Sequence, residues 1–315
     1  AVTGSLITIN SQGGTDTITV DSSLGAFAKS LNVNAGNDDD IINANAFDGT
    51  NSSLTFDGAA GFDVINLTSG GTTGNGSTTT AAEETNIGGT FSSGTGDQTF
   101  NGPVTIVSSS TITGADISFN DTVDAILNRS LTANGSGVVT FGGEIGGNSP
   151  VRNLTVTTGA ASLDIIVPVT ISGGVNLTAS NGAINVDAPI NTPSSNTQQF
   201  RATDGITFTS NGELNGGSSL DLNADTDADG TGTLTFAAGT SIVGNFIDFE
   251  AAGIQIDRVI DGSGFLRLTP STDSASIGLG TSVGDFALDD SELANLDNGF
   301  SQIEIGQIFG GTHAI

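Results

Sequence analysis

Asp225, Asp227 and Asp229 alternate along a short polar run that ends in Gly230. Carboxylates at alternate positions, followed by a glycine that permits a sharp turn, can wrap a hard cation such as calcium in oxygen ligands. The run matches the first half of an EF-hand loop. The bidentate Glu that such a loop needs would fall at position 236, which is Phe236, so an EF-hand is excluded. Two readings stand: a calcium-binding turn, or a polar turn joining strands at 220–223 and 233–236.

Two further clusters invite the same chemistry. Gly58-Ala59-Ala60-Gly61-Phe62-Asp63-Val64-Ile65 is similar to a calcium-binding nonapeptide, Gly-Gly-x-Gly-x-Asp-x-apolar-x, with Ala59 in place of the second glycine. Such nonapeptides recur every nine residues. Here the related Asp phrases lie 23 to 24 residues apart. The competing reading of Asp63 is a corner residue that bonds backbone amides. Asp38, Asp39 and Asp40 are adjacent, and three neighbouring carboxylates repel unless they are solvated or bridged by a cation. Asp225, Asp227, Asp229, Asp38, Asp39, Asp40 and Asp63 are therefore the candidate metal ligands, with calcium as the ion.

Catalytic chemistry finds few parts. The single histidine, His313, sits near the end of the sequence, and there is no cysteine, so Ser-His-Asp and Cys-dependent schemes lack members. Cleavage of an acidic polysaccharide by elimination needs basic groups around the uronate. Lys29, Arg129, Arg152, Arg201, Arg258 and Arg267 are spread along the sequence, and no basic constellation is expected. Glycoside hydrolysis needs only two carboxylates, but neither Trp nor Tyr is available as a sugar platform. The expectation is a non-enzymatic protein, with a polysaccharide-degrading enzyme as the least favoured alternative.

The 315 residues include 34 Asp and Glu against 6 Lys and Arg, a formal charge of −28. Such a surface repels nucleic acid, whose binding needs clustered cations. Hydrophobic residues make up 36% of the chain, too many for a disordered acidic tail. No apolar run approaches the roughly 20 residues of a membrane-spanning helix. Ala1 follows no basic and apolar leader and there is no Met, which reads as a processed or excised piece.

These side chains must be positioned by a repeat. Phe100-Asn101-Gly102-Pro103-Val104 returns as Phe119-Asn120-Asp121-Thr122-Val123 and as Phe141-Gly142-Gly143-Glu144-Ile145, at offsets of 19 and 22. Leu131, Leu154 and Leu177 open similar phrases 23 residues apart. Asp16, Asp40 and Asp63 each begin an Asp-x-Ile phrase, and Leu31-Asn32-Val33 returns as Leu54-Thr55-Phe56. A fixed period of this size signals a solenoid whose units cannot bury their apolar faces alone. Alternation sends Leu31 and Val33 to one face, and one rung per 23 residues stacks equivalent residues about 4.8 Å apart. The predicted fold is all-β, a parallel β-helix of about 13 rungs and roughly 60 Å in length. Asn101 and Asn120 are expected to form a ladder that breaks at Gly142.

The predicted organisation has four parts. Residues 1–67 are N-terminal rungs, and 68–80, which contain no large apolar residue, are an exposed Gly/Thr-rich loop. Residues 81–275 are central repeats. Residues 276–315 form a C-terminal rung with a short helix near 290–297, a Gly299 cap and a strand over 300–305. That rung lacks a capping element, which reads as truncation from, or stacking on, a further repeat.

The segments GDQTFNGPVTI, ISFNDTVD, VTFGGEIGGNSPVRNLTVTTGA and NLTASNGAINVDAPI resemble repeats of filamentous-haemagglutinin-like bacterial surface proteins, giant secreted adhesins. The resemblance covers roughly residues 85–310. It implies a right-handed parallel β-helix, export to the cell surface, and a structural or adhesive role. The expected function is a rigid extracellular module that self-associates end to end or side by side into a filament, sheath or surface layer. The alternative is an adhesin segment that binds surface glycans through loops such as 68–80.

Overall fold

The computed structural model describes residues 6–21, 28–45, 47–49, 51–159, 162–193 and 195–306. The fold is an all-β parallel β-solenoid with rungs of about 22 residues and one short helix. His313 lies outside the described residues. Among the described residues every strand pairing is parallel, as one-way coiling requires. The chain divides into two compact units, Ala1–Thr157 and Thr158–Ile315.

In the first unit, strands Leu6–Asn10, Ser30–Asn37, Leu54–Ala60, Thr78–Ala81, Gln98–Phe100, Ile117–Phe119 and Val139–Phe141 stack in that order. A second sheet runs through Thr17–Asp21, Ile41–Asn45, Val64–Leu67, Glu84–Ser92 and Val104–Gly114. Strict alternation buries every second side chain, as in Ile117–Phe119 and Leu131–Gly135. Register then places like on like. Phe100 pairs with Phe119 and Phe119 with Phe141, as the repeated phrase predicts. Their rings stack at 5.0 and 5.3 Å with interplanar angles of 7° and 1°. The Asn101–Asn120 ladder is present at 2.8 Å.

The predicted loop over 68–80 is a rung of the coil. It supplies strands Gly71–Thr72 and Thr78–Ala81, which pair with the rungs on both sides. Thr73, Thr78, Thr80 and Thr85 are all buried there. Thr80 lies in register between Phe56 and Phe100, and Thr85 between Ile65 and Val104. Threonine is β-branched and close to valine in shape, so it fills an inward strand position that a search for apolar residues passes over. The hydroxyls of Thr78, Thr80 and Thr85 are buried without a partner.

The second unit repeats the arrangement through Val175–Ala179, Thr197–Ala202, Ser219–Asn223, Phe246–Ala251, Phe265–Pro270 and Gln302–Ile305. Phe208 and Phe236 stack inside it at 5.2 Å. The helix spans Asp290–Ala294, shorter than predicted. Asp289 caps it: its side chain accepts from the Ser291 and Glu292 amides, and Glu292 reaches back to the Asp289 amide. Asn295 ends the helix in place of Gly299, because its side chain is tied to the Ile256 carbonyl at 2.8 Å. Leu288 belongs to the preceding strand Phe286–Leu288, so the leucine spacing overstated the helix. The last strand among the described residues is Gln302–Ile305, within the predicted 300–305.

Two substitutions in one inward column have opposite expected signs. Phe119→Ala opens a cavity between two rings and lowers unfolding stability by about 3–5 kcal/mol. Thr80→Val removes a buried unpaired hydroxyl at nearly constant volume and raises stability by about 1 kcal/mol. Denaturant titration of the two variants measures both; a destabilised Thr80→Val would mean that the hydroxyl has a partner.

Candidate functional site: two acidic corners and a charged sheet face

Asp225 follows the inward residues Leu220, Leu222 and Ala224, where the chain leaves its rung for a loop that returns at Thr233–Phe236. The Asp225 side chain is buried. It accepts hydrogen bonds from the Asp229 amide at 3.3 Å, the Gly230 amide at 3.1 Å, and the Ser271 hydroxyl. Asp229 in turn accepts from the amide and hydroxyl of Thr231 at 2.9 and 2.6 Å. Ala228 and Gly230 take positive φ, 53° and 87°, to close the turn. Asp225, Asp227 and Asp229 each bring a carboxylate oxygen within 4.8 Å of the others. Desolvation, then the hydrogen bond to Asp225 and the charge of Asp229, hold the Asp227 carboxyl above the ordinary range. Three converging oxygen ligands suit a hard cation. Asp225, however, is already the staple of the loop, which leaves Asp227 and Asp229 as the more available donors.

The second cluster is arranged differently from a metal centre. Asp38, Asp39 and Asp40 diverge. Asp38 accepts from the Gly14 amide in one neighbouring rung and Asp39 from the Phe62 amide in the other, both at 2.9 Å. Asp40 turns inward and is buried. It accepts from the Asp16 amide at 2.7 Å, while its own amide donates to Asp63 at 2.9 Å. The Asp63 amide donates to Glu83 at 2.9 Å. Asp38, Asp40, Asp63 and Glu83 thus cap the backbone of the preceding rung and Asp39 that of the following one, which is the corner bonding of backbone amides read for Asp63 from the sequence, made between rungs. Among the described residues, Asp225, Asp227 and Asp229 are the only group of three or more acidic or His side chains whose ligand atoms converge.

This corner also explains the nonapeptide-like phrase. A Cβ on Gly58 would lie 2.3 Å from the Asp63 side chain, and one on Gly61, at φ 148°, would lie 2.3 Å from the Asp38 carbonyl. Gly58 makes room for the buried Asp63 side chain, and Gly61 for the backbone of the neighbouring rung. Asp63 is only 2% exposed, and one oxygen each of Asp40 and Asp63 has no hydrogen-bond partner. Burial raises the Asp63 pKa first. The Asp40 amide opposes this, and the charges of Glu83, Asp40 and Asp39 add to the rise.

The third feature was not expected. Arg201 and Arg267 converge on the outward face of one sheet in the second unit. Register sets Gln199, Asp221, Asp248, Arg267 and Glu304 in one outward row, beside Arg201, Asn223 and Glu250 in the next. Arg201 forms an ion pair with Asp221, and Arg267 with Asp248. Gln199 donates to Asp221 at 2.9 Å and Asn223 to Glu250 at 3.0 Å. Desolvation raises the Asp221 pKa, but the hydrogen bonds from Arg201 and Gln199 outweigh it and the carboxyl is held low. Glu250 is pushed up by desolvation and by Asp248. A cleft of about 350 Å³ opens beside this row. The expectation of scattered cations is corrected for these two residues, because rungs bring together what the sequence separates. Arg258 has another role: it is buried and donates to the carbonyls of Ala237, Gly212, Thr209 and Phe208, tying rungs together.

The corner carries a pH signature. A folded-state pKa above the unfolded value means that folding favours protonated Asp63, so its contribution is full at low pH and is lost as pH rises through the folded pKa. At neutral pH the ionised group is repelled by its neighbours. Asp63→Asn keeps an acceptor for the Asp40 amide and removes the charge. It is expected to raise stability at pH 7 by roughly 1 kcal/mol. The gain shrinks as pH falls toward the ordinary Asp value of 3.8. Thermal melts of both proteins across that range measure it, and a variant less stable at pH 7 would show that the charge is compensated.

Comparison with known proteins finds no matching family, no matching curated protein and no matching solved structure. What the chain does has to be argued from its own side chains.

Proposed function

We propose that this chain is a non-enzymatic structural segment of an extracellular bacterial surface protein of the filamentous-haemagglutinin-like type, and that it self-associates into a filament, sheath or surface layer. One observation carries the reading. Strand Leu6–Asn10 pairs on one side with Ser30–Asn37, and among the described residues no strand pairs with its other side. Leu6 and Ile9 on it are exposed. A parallel edge with apolar residues is a template for another strand, and a contact between unlike surfaces of identical copies need not close. The occupant is a second copy, whose Gln302–Ile305 edge also exposes an apolar residue, Ile303.

The acidic exterior suits a secreted module that must stay soluble before it assembles. Calcium enters this reading as a stabiliser at Asp225, Asp227 and Asp229. A single histidine and no cysteine in the sequence favour an architectural role over nucleophilic catalysis in this reading.

Electron microscopy of the purified chain tests the assembly. Ordered filaments or sheets are expected as concentration rises; dispersed single particles at every concentration, with and without calcium, would overturn it. Calorimetry tests the ion separately. Calcium is expected to raise the melting midpoint relative to chelator, since a ligand of the folded state stabilises it. Asp227→Asn should abolish that rise.

A further inference from the structure

Two departures from the pattern of this fold coincide on one face of the second unit. Among the described strand registers, Asp221 opposite Asp248 is the only carboxylate set directly against another. Like charges in opposed positions are destabilising. On the same face, Phe246 and Phe265 are in-register neighbours pointing outward, and Phe246 is 56% exposed. Most large side chains of this type are fully buried here. Places where a sequence breaks its own local rules are where function is expected. The cleft of about 350 Å³ is lined by Ser219, Asp221, Phe246, Asp248, Phe265 and Arg267, so it joins both departures.

We propose that this face, formed by Ser219–Asn223, Phe246–Ala251 and Phe265–Pro270, binds a neutral polysaccharide chain. A sugar ring has an apolar C–H face and a rim of hydroxyls. Phe246 and Phe265, side by side on adjacent rungs, offer apolar surface for the first. Asp221 and Asp248 offer hydroxyl acceptors, held in place by Arg201 and Arg267. Apolar surface with a few fixed polar groups is the usual composition of a ligand site. Phe246 and Phe265 occupy adjacent rungs about 4.8 Å apart, as do Asp221 and Asp248, so a linear chain laid across the strands meets each pair in succession.

Charge selects against the competing occupants. Asp221, Asp248, Glu250 and Glu304 outnumber Arg201 and Arg267, and both guanidiniums are already paired. An acidic polysaccharide is repelled. A second copy presenting this face brings the same excess of carboxylates. The inference is independent of end-to-end assembly, which uses strand edges and leaves this face free.

Titration calorimetry of the full chain with hexasaccharides of glucose and of mannose tests the proposal, with polygalacturonate and chitosan fragments alongside. At least one neutral hexasaccharide is expected to bind. Phe246→Ala and Phe265→Ala should each weaken that binding by about tenfold or more at an unchanged melting midpoint. No binding to a neutral hexasaccharide, binding confined to the charged fragments, or equal binding by both variants overturns the proposal. So does loss of filaments in Phe246→Ala, which would assign the face to contact between copies.

Discussion

In-register parallel stacking governs this protein. Each residue sits about 4.8 Å from its equivalent in the next rung, so a side chain mostly meets its own kind. For apolar residues the consequence is favourable. Phe100, Phe119 and Phe141 make a continuous core column, and their near-parallel rings follow from the backbone register more than from any preference of aromatic pairs. Amides gain as well: Asn43, Asn66 and Asn86 form a ladder at 2.9 and 3.0 Å, each donating to the last. Carboxylates lose, because an ionised pair offers only acceptors and like charge.

A chain with 34 acids and 6 basic residues must solve that problem repeatedly. One solution alternates amide and acid in register, as in Asn34 with Asp57, Asp164 with Asn185, and Asn223 with Glu250. Another turns the carboxylate into the corner, where it accepts the backbone amide of the neighbouring rung, as along Asp16, Asp40, Asp63 and Glu83. The second leaves buried oxygens unpaired at Asp40 and Asp63. The third uses scarce arginine, and it occurs at Asp221 and Asp248. Acidity is therefore organised rung by rung, and the three devices differ in cost.

The sequence disclosed the solenoid because stacking imposes a period, and the period shows most clearly where one phrase recurs. Phe100, Phe119 and Phe141 fall in register as their phrase implies. Asp16, Asp40 and Asp63 share one corner for the same reason. The rung over 68–80 was hidden because its inward residues are threonines. The charged face was hidden by unequal spacing. Gln199, Asp221, Asp248 and Arg267 are register partners at offsets of 22, 27 and 19. A search at a fixed 23 misaligns every one of them, and no two of these positions share a phrase. The convergence of Asp225, Asp227 and Asp229 was legible because it is local; the hydrogen bonds that occupy Asp225 were not, since Ser271 comes from a distant rung.

Unequal spacing is itself a consequence of the constraint. Strands must keep register with both neighbours, so added residues leave at corners, where no ladder bond is lost, or at a register shift such as that between Ile87 and Gly89. The rung between Ile206 and Leu234 takes up 28 residues, against 22 from Ile184 to Ile206, yet the flanking strands stay paired. The Asp225 loop lies just beyond Ser219–Asn223, and the next strand in that sheet, Phe246–Ala251, follows at an offset of 27. The extra residues thus form the acidic loop without disturbing Asp221 opposite Asp248 or the row they share with Arg267. A solenoid can in this way vary its corners while its faces stay in register. The acidic loop and the charged face can consequently change independently, even though the same strand, Ser219–Asn223, leads into one and lies in the other.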